Sequence, residues 1–450
     1  MLKRIFCILA ALLLIVTSAL AEESKPLYAV KDENGLWGYI DCKGNLVIPG
    51  TFTYAEDFRG GYALARQEWG GLYGIIDAKG EWVLPPEYED ILSVSDSGDW
   101  ANGRDNGVYL VVQGWKKGEK QGFFDIPSGF FSGLIYDDVH IVWTGHTDRE
   151  YIRVTVDGKL GFVRRSTGEI VIPCQYSPDD SRDFSGDYCM VMPYDAKAAD
   201  GWILIDRPGN EVPLPENCYA VSTFYDGLAV VWDSTKDLCG YIDTAGNVVI
   251  EPQYLWAYAF SEGLACVKLQ TGEWAMIAPD GSTAFVRWDE ANAHHSDMYC
   301  SHGLIRCGTP DNGPVVFLNQ SGEEMFRLEI EGLEGVGDFK ENGVAFYEVH
   351  SDRLTGNGGY GIGLFNDKGE ILTPPVFWVE DHQRRQEFSE GLFHVLEIAT
   401  GKEGYIDERG EWAFPPVDGY CREFRDGLAR IDLYPDVIFV DREGNELYRY

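Results

Sequence analysis

The residue types best suited to hold a metal gather in one stretch, His294, His295, Cys300, His302 and Cys307. Imidazole and thiolate bind zinc, and a structural site needs four such donors converging as a tetrahedron. The spacing here matches no finger or ribbon. Adjacent histidines on a strand would point to opposite faces and Cys307 falls in a strand-like run, so a surface loop beside a core thiol is the simpler reading. A second stretch, Asp96-Ser97-Gly98-Asp99 with Asn102-Gly103-Arg104-Asp105-Asn106, is dense in the oxygen donors that calcium takes. It lacks the alternating acids and distal glutamate of a calcium loop, and an ordinary solvated loop uses the same residues. No metal and no other cofactor is implied.

Catalysis leaves no comparable trace. The chain has no Gly-x-Ser-x-Gly elbow, no phosphate-binding Gly-x-x-x-x-Gly-Lys-Ser/Thr loop and no His-Glu-x-x-His pair. Paired carboxylates could hydrolyse glycosides, but 73 acidic residues guarantee some pairs at a suitable separation by chance. The aspartates Asp41, Asp77, Asp206, Asp243, Asp407 and Asp441 recur three residues before a glycine, which points to one turn made repeatedly. Aromatic residues remain. Tyr254-Leu255-Trp256-Ala257-Tyr258-Ala259-Phe260 concentrates them, and Trp256 and Tyr258, placed between strands, are the candidate binding residues for a glycan or peptide; Trp37 and Phe260 read as core.

What positions these residues is a repeat. One copy runs Gly227-Leu228-Ala229-Val230-Val231-Trp232, Cys239-Gly240-Tyr241-Ile242-Asp243 and Gly246-Asn247-Val248-Val249-Ile250-Glu251-Pro252-Gln253-Tyr254. β-Branched and aromatic runs separated by an Asp-to-Gly turn read as three antiparallel strands. The turn glycine returns at Gly44, Gly80, Gly129, Gly168, Gly209, Gly246, Gly281, Gly322, Gly369, Gly410 and Gly444, about 40 residues apart. An independent mark, a phenylalanine three residues before a Gly-apolar-small step, starts units at Phe58, Phe224, Phe260, Phe388 and Phe424. That ring is expected to fill the gap between neighbouring units.

Trp37-Gly38-Tyr39-Ile40-Asp41, then Lys43-Gly44 and Leu46-Val47-Ile48-Pro49, resembles the defining stretch of the bacterial WG-repeat family, and the Phe-x-x-Gly-Leu-Ala step completes the pattern. Tyr73-Gly74, Leu160-Gly161, Cys239-Gly240 and Glu403-Gly404 are diverged versions, and Trp274-Ala275 has lost the glycine. The likeness spans residues 22–450 and is weakest around 100–150 and 270–330. It implies a repeat-built, β-rich surface or secreted protein. The expected fold is therefore all-β, about eleven tandem three-stranded units sharing one extended core, with propeller-like closure favoured over an open superhelical β-array. Leu27 to Lys31 starts the first unit and Glu446 to Tyr448 ends the last, so no split unit is available to close a ring.

The amino terminus sets an expected compartment. Lys3 and Arg4, the apolar run Ile5 to Val16 and Ala19-Leu20-Ala21 read as a signal peptide over residues 1–21, cleaved near Ala21. No other apolar stretch approaches the ~18 residues of a membrane span. Secretion or retention at the cell envelope follows as the expectation. With 37 basic against 73 acidic residues and a net charge of −36, a nucleic-acid partner is disfavoured. Nine cysteines follow the signal peptide, none in a Cys-x-x-Cys pair, and they behave as small core residues more readily than as a disulfide framework. The reading is a non-enzymatic binding module whose partner is a protein or glycan of the envelope or of a host. A glycan hydrolase with its site in an irregular loop, or a structural envelope component, are the alternatives.

Overall fold

The computed structural model describes residues 26–95, 105–112, 118–140, 150–178, 181–182, 184–195, 201–288, 300–308, 314–340, 342–351, 359–378 and 388–450. The expected signal peptide, residues 96–104 and His294-His295 lie outside them. Among the described residues every regular element is a strand, and no helix is long and apolar enough to cross a membrane.

The first two sheets define the plan. β1 (Leu27–Lys31), β2 (Trp37–Asp41) and β3 (Leu46–Phe52) form a three-stranded antiparallel meander. The chain then lays down a two-residue strand, β4 (Tyr54–Ala55), before repeating the meander as β5 (Tyr62–Arg66), β6 (Tyr73–Asp77) and β7 (Trp82–Tyr88). Ten sheets of this kind, all antiparallel and in chain order, make a β-propeller. Seven of them have four strands, one more than the repeat predicts, and in most of these the linker between units supplies the extra strand. Tyr54-Ala55, Trp256-Ala257 and Tyr420-Cys421 are such leading strands. Two residues are too few for a strand signal in sequence.

Eleven repeat units fit into ten sheets because the six-stranded sheet holds the ninth and tenth together. Phe377 pairs with Ile362 in its own unit and with Glu397 in the next, so one strand serves both ladders. All eleven turn glycines have positive φ, from 68° at Gly129 to 89° at Gly209, including those of the weakest matches, Gly129, Gly281 and Gly322. Each of the six recurrent aspartates accepts backbone N–H groups of its own turn, as Asp41 Oδ1 does from Lys43 and Asn45 at 2.9 Å.

The core is distributed as eleven apolar clusters, one for each pair of neighbouring units. The inter-unit phenylalanine does fill the gap: Phe58, Phe260 and Phe424 pack edge-on against Tyr39, Tyr241 and Tyr405 of the preceding unit, with centroids 4.7, 4.9 and 4.6 Å apart. Those tyrosines also clamp the linker, each donating its hydroxyl to a backbone carbonyl two residues before the phenylalanine, Glu56, Tyr258 and Arg422. The glycine of the Trp-Gly pair is a close approach. A Cβ on Gly240 would lie 2.6 Å from the Ile250 carbonyl oxygen and 2.7 Å from Pro252 N, because the proline-bearing third strand bulges over it.

The ring closes without a split unit. Tyr28, Val30 and Ile40 of the first sheet pack on Leu428 and Phe439 of the last, and the Tyr28 hydroxyl donates to the carbonyls of Arg425 and Asp426 at 3.0 and 2.9 Å.

Candidate functional site

The closing joint differs from the other ten, and a cavity of about 300 Å³ opens there. Its walls come from β1 and β2 (Tyr28, Ala29, Trp37), from the linker after β4 (Glu56, Asp57, Arg59) and from the last sheet with its linker (Arg422, Arg425, Arg430, Phe439). The repeat brings two equivalent linkers to one place, Glu56-Asp57-Phe58-Arg59 and Arg422-Glu423-Phe424-Arg425. Each buried phenylalanine anchors its linker, so the arginine that follows is turned to the cavity instead of the core.

Four arginines face Glu56, Asp57 and Glu423 there, a dense group of positive side chains on a chain of net charge −36. Arg430 pairs with Asp432 at 2.7 Å and Arg422 with the same carboxylate at 3.6 Å. Arg59 and Arg425 are half-buried, and among the described residues neither guanidinium makes an ion pair or hydrogen bond; Arg59 Nε is buried without a hydrogen-bond partner there. A half-buried guanidinium has lost part of its hydration, so an incoming carboxylate, phosphate or sulfate would find strong, directional donors. Burial pushes the Glu56 carboxyl above the ordinary glutamate range, with Arg59 opposing the shift and the Tyr54 hydroxyl, 3.0 Å away, doing likewise.

The sequence-derived candidates sit elsewhere. Trp256 lies on a leading strand opposite Lys268, half-exposed at 51 %. Tyr258 is half-buried, its ring 6.4 Å from Trp256 and 6.0 Å from Trp274. The two share one face of the seventh unit, with the outer ring open to solvent. Cys300, His302 and Cys307 do not converge as ligands: Cys307 is buried among Cys266 and Leu318, while the Cys300 thiol and the His302 N–H both donate to Glu262. Burial drives the Cys300 thiol up to about 11, away from the thiolate a metal needs.

A different trio, His394, Glu403 and Cys421, brings its ligand atoms within 4.8 Å. Glu403 Oε2 already accepts from His394 Nε2 at 2.9 Å and from the Cys421 N–H at 2.7 Å, and burial, reinforced by Glu403, holds the Cys421 thiol up to about 12. The trio is a hydrogen-bonded tie between a leading strand and the unit before it.

Sequence reasoning missed Arg59 and Arg425, although a signal was present. Arginine follows the linker phenylalanine at Phe58 and Phe424, the two linkers that reach the joint, whereas serine, tyrosine or lysine follows Phe184, Phe224, Phe260, Phe339 and Phe388.

The chain carries WG-containing repeats: the model of that family matches residues 37–68, 73–113, 240–274 and 404–433. No curated protein matches it. Among solved structures it is similar to a eukaryotic initiation factor (9 % identity, 77 % of this chain and 94 % of that one, TM-score 0.36). The computationally designed Ika8 protein is another (13 %, 67 % and 93 %, TM-score 0.35). A third is BamB from Moraxella catarrhalis (14 %, 72 % and 94 %, TM-score 0.31).

Proposed function

We propose that this chain, a β-propeller carrying WG-containing repeats, is an exported, non-enzymatic interaction module that holds an anionic partner at the joint where its last sheet meets its first. The observation that carries this reading is the pair Arg59 and Arg425, half-buried in one cavity and, among the described residues, in no ion pair, with Glu56 near both. Half-burying two guanidinium groups without a direct ion pair costs stability, and a binding role explains why they are kept. Export follows from the amino-terminal pattern, which makes a protein or glycan of the cell envelope, or of a host, the partner within reach. Trp256, exposed on a leading strand, is a second contact for such a partner, with Tyr258 behind it.

The test is capture. Purified protein is presented to separated envelope proteins, peptidoglycan and soluble glycans while salt is titrated. Saturable retention of one fraction, weakening as salt rises, is the expected result. Retention of nothing together with release of fragments from the glycan fraction would overturn the reading in favour of a hydrolase.

A further inference from the structure

The cavity is bounded by an open strand edge. The Ala29 N–H donates to Asp57 Oδ1 at 2.8 Å and the Leu27 carbonyl accepts from the Phe58 N–H at 3.1 Å. Residues 27, 29 and 31 therefore turn their backbone groups away from β2, while 28 and 30 serve the β1–β2 ladder. In the second sheet the equivalent edge of β5 is covered: Tyr54 pairs with Arg66, Ala55 with Ala65, and the Glu56 N–H donates to the Leu64 carbonyl. Leading strands cover the same edge at Asp138–His140, Cys218–Ala220, Trp256–Ala257 and Tyr420–Cys421. On β1 the Ala29 carbonyl and the Lys31 backbone groups have no such strand against them among the described residues.

Nor does the last unit carry the devices that hold a following linker. In register with the clamping tyrosines Tyr39, Tyr241 and Tyr405 stands Phe439, which has no hydroxyl to give. In register with Gly38 and Gly240 stands Ile438, which is buried with Tyr405 and Ile431 and pairs directly with Arg449 of the last strand. Phe439 instead meets Tyr28 across the joint, centroids 5.9 Å apart, and shares the cavity wall with Trp37.

Resting on the interaction-module reading, we infer that β1 receives, as an added strand, an extended segment of a partner protein with the pattern aromatic-small-acidic-acidic-Phe. The ring displays the template in Tyr54-Ala55-Glu56-Asp57-Phe58. Set in the same register on β1, the aromatic residue lies opposite Lys31 and against Trp37, as Tyr54 lies against Tyr73 with centroids 5.6 Å apart. The small residue lies opposite buried Val30, and the phenylalanine reaches Phe439 as Phe58 reaches Tyr39. The acidic pair meets Arg59 and Arg425. Backbone bonds to the edge supply affinity and the side-chain positions supply selection.

The probe is a fluorophore-labelled peptide, Thr-Phe-Thr-Tyr-Ala-Glu-Asp-Phe, the chain's own residues 51–58. It is titrated against the purified full chain and read by fluorescence anisotropy. Lys31→Pro removes the edge N–H and leaves the β1–β2 ladder whole; Lys31→Ala keeps it. Saturable binding to the unaltered chain and to Lys31→Ala, with binding about tenfold or more weaker for Lys31→Pro, is the expected result. Equal affinity for Lys31→Pro, or no binding to the unaltered chain, overturns the inference. Hydrogen exchange at the Lys31 amide keeps the test sound should Lys31→Pro fold poorly, because the peptide must slow it in the unaltered chain. An amide already protected before peptide is added means that the edge is covered by terminal residues of this chain or by a second copy, and also overturns it. Failure here with envelope capture intact removes strand addition and leaves the proposed function standing.

Discussion

Tyr241→Phe isolates the clamp that ties each unit to the linker of the next. The Tyr241 ring is fully buried and packs on Phe260 at 4.9 Å, while its hydroxyl donates to the Tyr258 carbonyl at 2.8 Å. Removing only the hydroxyl keeps the ring and its packing, so the loss is one hydrogen bond plus partial desolvation of the orphaned carbonyl, about 1–2 kcal/mol. A ring of weakly different repeats does not promise one cooperative transition, so the effect is best read locally. The clamped linker is also held by the Leu255 N–H to the Lys268 carbonyl at 2.8 Å and by the Tyr258 N–H to the Cys266 carbonyl at 2.9 Å. These two amides report its opening. At about 1.4 kcal/mol per factor of ten, they should exchange roughly 5- to 30-fold faster in Tyr241→Phe. The Arg422 amide, in the joint clamped by Tyr405, should not change. Unaltered exchange at Leu255 and Tyr258, or equal acceleration at Arg422, would refute the reasoning.

Three further outcomes follow from the same contacts. Gly240→Ala sets a Cβ against the Ile250 carbonyl and Pro252 and should destabilise the sixth unit by about 1–3 kcal/mol in urea unfolding; a neutral result would mean that the third strand moves freely. Arg165 and Asp125, both buried, pair at 2.6 Å between the third and fourth units, and Arg165 also donates to the Gly107 carbonyl. Arg165→Ala should therefore cost about 3–5 kcal/mol by leaving the buried Asp125 charge with only the Ser128 N–H and hydroxyl to hold it, and a change in denaturation midpoint too small to measure would contradict this. Burial raises the Glu56 carboxyl above its unfolded value of 4.5, so the folded chain holds a proton there that the unfolded chain releases. The stability this gives is full below that value and is lost as pH rises through the raised one. Glu56→Gln should then stabilise the chain at pH 7 and be close to neutral near pH 4 in thermal melts, and a difference independent of pH would be inconsistent with it.

Much of the fold was legible because the repeat states it twice. The Asp-to-Gly turn demands positive φ at a fixed place, and the linker phenylalanine recurs independently of it, so even the diverged units at Gly129, Gly281 and Gly322 kept their period. The leading strands were not legible, since Tyr54-Ala55 or Trp256-Ala257 is too short to carry a periodic pattern and forms only because the edge of the next sheet waits for it. Closure was hidden for a related reason. It depends on Tyr28 meeting Phe439 across a separation of more than 400 residues, which no local pattern encodes. The cavity escaped for a third reason: residue type alone marked aromatic platforms and metal donors, whereas Arg59 and Arg425 stand out only once their lack of partners is known. The departures in the last unit, Ile438 and Phe439, were visible as broken repeat positions, yet their meaning needed the register of the strand beside them.

The most direct test of the account is to repeat the envelope capture with the Arg59→Gln, Arg425→Gln double variant. Neither guanidinium makes an ion pair or hydrogen bond among the described residues, and each acts on Glu56 only through space, so the variant should melt close to the temperature of the unaltered chain. The account predicts that the retained fraction is lost and its salt dependence with it. Retention of the same fraction at the same salt would show that the closing joint is not where this protein binds.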